Sequence, residues 1–470
     1  MMVLKKFAYL LMFLFCWFGF LPSATAAQGV NLHQSVKKTL GYSPQLQAVL
    51  HNHEAVHYDF KQARAGYFPT LNLSLGHGLE QFSDSYTRKH GADPSNTDWD
   101  SRTDAAISLI QKLYDGGETS RQVSIQKALM DSSFYQIQDV IQMITLNAIN
   151  AHLEVYKQRQ LVDLAKKNLK VHQDIYQSLA ERERAGAGDI ADVTQTQARV
   201  ARTQSMVFIA KEHLTQAVAN YVRVVGTRPG DLAGAGVPEK KMPGSLEEAL
   251  SLVEKQNPEL LALDAKIAEA KARIDLVRSN FKPKVNIELS SHYYNQLEGD
   301  DSWQNTNEAM LTLNWNLFNG GQDMAKKRAA TSRKNETRSD RDEKLIELRE
   351  AITASWANFL SLHSQKKAFQ EVAIYSQRTF EAYLKQFSVS KRSLLDVLSA
   401  EDDYFQAASQ VVVADADMTI AAYRILKLTG HLQIHGLVPD SKNSEDVRGF
   451  IHSQISKVTF LPDDETKTVR

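Results

Sequence analysis

Residues 43–75, SPQLQAVLHNHEAVHYDFKQARAGYFPTLNLSL, recur in altered form as residues 257–289, NPELLALDAKIAEAKARIDLVRSNFKPKVNIEL. Pro44 pairs with Pro258 and Pro69 with Pro283, both at an offset of 214. In each copy the first proline stands where the first turn of a helix tolerates it, and the second closes that helix. Past the second proline the pattern alternates. Leu71, Leu73 and Leu75 stand against Asn72, Ser74 and Gly76, and Val285, Ile287 and Leu289 against Asn286, Glu288 and Ser290. Period two with one apolar and one polar face predicts a strand.

The duplication runs on. Leu113-Tyr114-Asp115-Gly116-Gly117 pairs with Leu317-Phe318-Asn319-Gly320-Gly321, Asp192-Val193 with Asp396-Val397, and Gly226 with Gly430, all at an offset of 204. The first copy therefore holds about ten extra residues, which a longer polar loop from Ser83 to Asp100 accounts for. Two large copies predict a duplicated domain rather than a solenoid of short units. A second alternating run ends at each Gly-Gly, through Ala105, Ile107 and Leu109 and through Ala309, Leu311, Leu313, Trp315 and Leu317. The predicted strands, about 70–80, 103–113, 284–294 and 308–318, have the length of a tilted membrane-crossing strand.

After each Gly-Gly, residues 118–182 and 322–387 contain neither proline nor glycine. Each predicts a helix close to 100 Å long at 1.5 Å per residue. Return helices follow over about 190–226 and 393–429. The helix from Pro44 and the first return helix, laid end to end, nearly equal the long one, so two short helices would flank it. Ile137, Ile141, Ile144, Ala148, Ala151 and Val155 are spaced for helix-on-helix packing.

Lys plus Arg equals Asp plus Glu at 55 each, which excludes a global basic surface for nucleic acid. Lys5 and Lys6 precede an apolar run from Phe7 to Leu21 and the small-residue site Ala24-Thr25-Ala26. This predicts a secretory signal peptide over 1–26. The one cysteine, Cys16, falls inside it, so the mature chain is expected to have no disulfide. No later window is apolar enough for a spanning helix, so any membrane role rests on the strands. Four strands cannot close a barrel, whereas three chains supply twelve. The helical periodicity by itself also fits a periplasmic coiled-coil scaffold or adaptor, against which the strands weigh.

The order helix, helix, strand, loop, strand, long helix, turn, return helix, written twice over residues 30–432, resembles the TolC family of outer-membrane export ducts. The resemblance implies a mostly α fold with a β-barrel portion: a homotrimer sharing a twelve-stranded barrel and a periplasmic coiled-coil tunnel. The repeats would span 27–236 and 237–436, with a polar tail over 437–470. It implies a passive conduit in outer-membrane lipid, without catalysis or cofactor. Its partners would be a periplasmic adaptor and an inner-membrane ABC or RND pump, and type I protein secretion is favoured over drug or metal efflux.

The resemblance also implies a gate at the helical turns. Asp396 matches the first of two aspartates lining the family's constriction, and Ser399 stands where the second can be. The ring then carries one carboxylate per chain unless Glu401 contributes. Arg392 matches an arginine bridging to the other helical pair, with Asp192 as its partner. Phe387 replaces a tyrosine of the latch and Ser390 a glycine of the turn. Asp192 and Asp396 also read simply as acidic residues near helix N-termini.

His53-Glu54-Ala55-Val56-His57 spells H-E-x-x-H, which on a helix can hold zinc. The aligned residues of the second copy, Ile267 to Lys271, carry no such ligands, and no third histidine follows His57. The motif therefore reads as a structural helix with no metal, and His51, His53 and His57 as capable only of adventitious contact.

Overall fold

The computed structural model describes residues 30–82, 99–295, 302–389, 391–432 and the single position 449. The expected signal peptide with Cys16, loop residues 83–98, Ser390 and, apart from Gly449, the tail 437–470 lie outside the described residues.

The chain runs α1 (Leu32–Tyr42), α2 (Pro44–Ala65), β1 (Thr70–Glu80), β2 (Asp100–Tyr114), α3 (Glu118–Arg184) and α4 (Ile190–Val225). It then repeats the order with α5 (Leu246–Gln256), α6 (Pro258–Ser279), β3 (Lys284–Asn295), β4 (Trp303–Asn314), α7 (Gln322–Ser388) and α8 (Leu394–Leu428). Local chemistry explains the shared boundaries. Ser43 caps α2 by accepting from the Leu46 amide, Asn257 caps α6 by accepting from Glu259 and Leu260, and a proline follows each cap. The strand-to-helix turns use glycine pairs at positive φ, 72° and 91° at Gly116 and Gly117 and 67° and 82° at Gly320 and Gly321. A Cβ on Gly116 would lie 2.8 Å from the Ser279 carbonyl oxygen, so this turn also sits against the end of α6.

The four strands form one antiparallel sheet in the order β1-β2-β3-β4. The second strand of each copy differs from the sequence expectation most clearly in β4, which covers 303–314 rather than 308–318. Asn314 pairs with Lys284, the first residue of β3, and before it Pro283 ends the ladder. Residues 315–318 thus have no strand opposite them, and the Trp315 indole donates to the Phe281 carbonyl at 3.1 Å instead. At the other end the polar stretch from Trp303 pairs with Asn295, although it carries no apolar alternation.

The long helices are the frame. Around the middle of α3, Ile137, Ile141, Ile144 and Leu153 pack with Val36 and Leu40 of α1 and Leu46 and Leu50 of α2. Farther along, Ala151 and Val155 meet Ala217, Tyr221 and Val225 of α4. The second copy repeats the theme with Val253 of α5, Leu260 of α6, Leu348 and Ile352 of α7 and Ile425 and Leu428 of α8. The copies are joined by Lys427, which reaches Asp139 at 3.0 Å and Glu259 at 2.7 Å. Burial pushes the Asp139 carboxyl up. Burial opposes the Glu259 charge too, but Lys427 and Lys344 outweigh it and hold that carboxyl down.

His152 is fully buried in α3. Its Nε2 lies 2.8 Å from the Ala233 carbonyl oxygen, which can only accept, so Nε2 donates. Burial holds the imidazole below its ordinary pKa and keeps it neutral. Nδ1 then accepts from Ser35 Oγ at 2.8 Å, and Ser35 accepts from the Tyr221 hydroxyl at 2.9 Å. One imidazole thereby ties α1, α4 and the segment between the repeats to α3. A folded-state pKa below the unfolded value gives stability that is full above the unfolded pKa, near 6.5, and is lost as pH falls toward and through the folded value. The thermal midpoint of the purified protein should therefore drop between about pH 7 and about pH 5, and a His152→Gln variant should show a shallower drop.

Candidate functional site

Two surfaces carry the chemistry: the faces of the sheet and the far end of the helices. In register across the sheet, Leu71 opposes Leu109, Leu109 opposes Leu289, and Leu289 opposes Ala309. The next rows on this face hold Leu73 with Ile107, and Ile287 with Leu311. On this face Leu71, Leu73, Leu75 and Leu311 are 66%, 68%, 72% and 69% exposed. A leucine band so bare is a hydrocarbon-facing surface. Exposed Tyr67, Phe68, Phe281, Trp315 and Phe318 flank it at the helix end, and Trp99 and the stacked pair Tyr293 and Trp303 at the other. Aromatic rings at both borders fit the two interfaces of a bilayer. Among the described residues no helix is long and apolar enough to cross a membrane.

The opposite face is polar. Arg102 pairs with Glu80 at 2.7 Å and with Asp104 at 3.1 Å, and Thr312 donates to Glu288 at 2.9 Å. Asn72, Ser74, Ser108 and Ser290 share that face. Such a wall suits water.

At the far end, Ile175 and Leu179 of α3 pack against Leu394, Val397 and Leu398 of α8, with Val193, Phe380, Tyr383 and Phe387 around them. This apolar knot holds both helical turns together. Phe387 is half-buried in it, with the Arg182 guanidinium 5.6 Å from its ring centre. Asp192 and Asp396 lie in the first turns of α4 and α8, where helix dipoles favour negative charge. Ser393 caps α8 by accepting from the Asp396 amide at 3.2 Å.

Arg392 does not meet Asp192 within the chain. It pairs with Asp396 at 3.6 Å, donates to Gln386 at 3.2 Å and lies 4.1 Å from the centre of the Tyr383 ring. The short i,i+4 reach to Asp396 competes with any longer one. Ser399 is exposed beside Asp396, whereas Glu401 is only 3% exposed and points into the helix packing toward His172. Glu401 is therefore excluded from an acidic surface with Asp396, because two residues past Ser399 the helix has turned it inward. Asp403, four residues past Ser399 and seven past Asp396, is the exposed carboxylate on their face. The i, i+3, i+7 spacing of Asp396, Ser399 and Asp403 is the sequence signal for that shared face.

The H-E-x-x-H stretch lies on α2. His53 Nδ1 is 2.7 Å from Ser133 Oγ of α3, His51 stands 3.6 Å from Glu54, and His57 meets Tyr58 edge-on. Among the described residues, these groups form no cluster of three metal-ligand atoms.

The family model for outer membrane efflux proteins matches residues 36–227 and 249–431. The alkaline protease secretion protein AprF of Pseudomonas aeruginosa is 26% identical over 404 residues, 83% of this chain and 82% of its own. The outer membrane efflux protein BepC of Brucella suis is 24% identical over 353 residues, 75% of this chain and 77% of its own. The Campylobacter jejuni CmeC outer membrane channel superposes with a TM-score of 0.74 at 14% identity, covering 90% of this chain and 89% of that one.

An arginine in the middle of the leucine band would meet hydrocarbon. Leu73→Arg is expected to destabilise the inserted sheet by about 2–4 kcal/mol, read as loss of the folded protein from the outer-membrane fraction. Asn72→Arg, on the polar face, should leave that fraction unchanged.

Proposed function

The chain belongs to the outer membrane efflux protein family, and on that premise we propose that it is the exit duct of a type I protein secretion system. It acts as a homotrimer, opened from the periplasmic side by an adaptor and an inner-membrane ABC pump. Family membership makes it an outer-membrane channel with a periplasmic helical tunnel rather than an enzyme. The observation that carries the trimeric duct is the sheet itself, with one bare leucine face, one polar face and two outer edges, β1 and β4. Three copies joined β4 to β1 close a barrel whose polar face lines a water-filled lumen. The protein-secretion branch rests on the likeness to AprF, an alkaline protease secretion protein.

At the periplasmic end, Asp396, Ser399 and Asp403 present one stripe of α8 to the passage. Threefold repetition of Asp396 and Asp403 gives two acidic rings, and the concentrated negative potential favours cations. Arg392 holds the tip closed: it leaves Asp396 for Asp192 across the seam, or anchors Asp396 and Tyr383 within one chain.

In planar bilayers, Arg392→Ala is expected to raise the conductance of the closed channel, and an unchanged value would remove Arg392 from the gate. Asp396→Asn and Asp403→Asn should each lower the preference for cations over anions. A Glu401→Gln channel should keep that preference. In cells, deleting the gene should remove a large protein from the culture medium. A full complement of secreted proteins, with new sensitivity to drugs, would move the chain to the drug-efflux branch.

A further inference from the structure

One cluster of ligand atoms belongs to none of these surfaces. His172 of α3 is fully buried, and Glu401 of α8 is 3% exposed. His172 Nε2 and Glu401 Oε2 are 3.3 Å apart, yet neither atom has a hydrogen-bond partner, and Nδ1 of the same ring has none either. One turn earlier on α3, Asn168 is 3% exposed with both polar side-chain atoms unpartnered. Asp402, half-buried beside Glu401, brings a carboxylate oxygen within 4.8 Å of the other two ligand atoms. Its Oδ2 takes a 2.7 Å bond from Arg199 of α4.

Buried polar groups without partners are costly, and five such atoms on three neighbouring side chains call for an occupant. Ion geometry suggests which. Zinc bonds of about 2.0–2.1 Å in a tetrahedron put neighbouring ligand atoms about 3.3 Å apart. The His172 to Glu401 separation already has that value, and Asp402, with an oxygen within 4.8 Å, completes three protein ligands by rotating inward. One imidazole and two carboxylates form a donor set for zinc or a similar first-row divalent ion. Arg199 orients Asp402, and the Asn168 amide is placed to hold the outer imidazole nitrogen or a ligand water.

We propose that His172, Glu401 and Asp402 form a divalent transition-metal site that joins the long helix of the first repeat to the return helix of the second. His172 lies three residues from Ile175, and Glu401 three from Leu398, both members of the apolar knot at the tip. A bound ion there clamps α3 to α8 at a level between the proposed Asp396 and Asp403 rings and resists their separation. The ion enters from the Asp402 side, the partly exposed side of the cluster.

The test is calorimetric titration of Zn2+ into the tag-free trimer in detergent, stripped of metal. One equivalent per chain is expected, with a rise in thermal midpoint. His172→Gln and Glu401→Gln should each weaken binding at least about tenfold, while a His51→Gln, His53→Gln, His57→Gln triple variant leaves it unchanged. Retained trimer mass and helical circular dichroism qualify each variant, and Asp402→Asn, at the partly exposed ligand, serves if a buried variant does not assemble. No binding by the wild-type protein, or binding that persists in the ligand variants and disappears in the triple variant, overturns the site. Binding is read without transport, so a wrong cargo assignment would leave this result intact.

Discussion

A strand edge inside hydrocarbon has no water to satisfy its N–H and C=O groups, and each unpaired group costs several kcal/mol. This sheet has two such edges, β1 and β4, beneath a leucine face that water also disfavours. Both costs disappear together when β4 of one copy pairs with β1 of the next. The contact joins two different edges, so it must repeat head to tail around an axis until it closes. The helices inherit that arrangement, because each long helix leaves the sheet directly through a two-residue Gly-Gly turn with both φ values positive.

The same closure explains why two helices of one ancestry differ in packing. α3 starts from β2, in the interior of the sheet, and is buried along its length by α1, α2, α4 and α6. α7 starts from the edge strand β4 and is mostly bare, with Ile346, Leu360, Val372, Ile374 and Tyr375 at least half exposed. Its charged first half, through Lys326-Lys327-Arg328, makes that face a wet one. The apolar residues beyond it are what an adjoining copy would cover.

Much of this was legible because duplication supplies an internal control. Prolines at a constant offset marked the same helix ends twice, and Gly-Gly marked the same turn twice. Alternation located the strands where one face is leucine-rich, but not the polar stretch from Trp303, whose pairing comes from Asn295 and its neighbours rather than its own pattern. The overrun to Leu317 had the converse cause: alternation continued after Pro283 had removed the partner. At the tip, resemblance directed attention to Glu401 by proximity to Ser399. Helical geometry turns that residue inward and Asp403 outward, a distinction of about 160° that two positions along the chain make unavoidable. The hydrogen-bond chain through His152 had no sequence signal, since Ser35, His152, Tyr221 and Ala233 meet only after three elements have packed.

Buried polar groups are distributed in this fold according to what each joint must do. Lys427 sits among Asp139 and Glu259, its charge matched on both sides, where the two repeats meet near the middle of the long helices. His152 there is neutral and fully bonded. Opening this joint would break the charge pairing of Lys427 and the hydrogen bonds of His152, so it resists separation. Toward the tip the ties are of another kind. Asn168, His172 and Glu401 are buried without partners, and the residues beyond them are held by an apolar knot of a few side chains and by cation–ring contacts at Arg182 and Arg392. Such contacts are non-directional or weak, and a slide of one helix past another exchanges them at small cost. Weaker ties toward the end of α3 would let one continuous helix be rigid support at one level and the movable wall of the proposed gate at another.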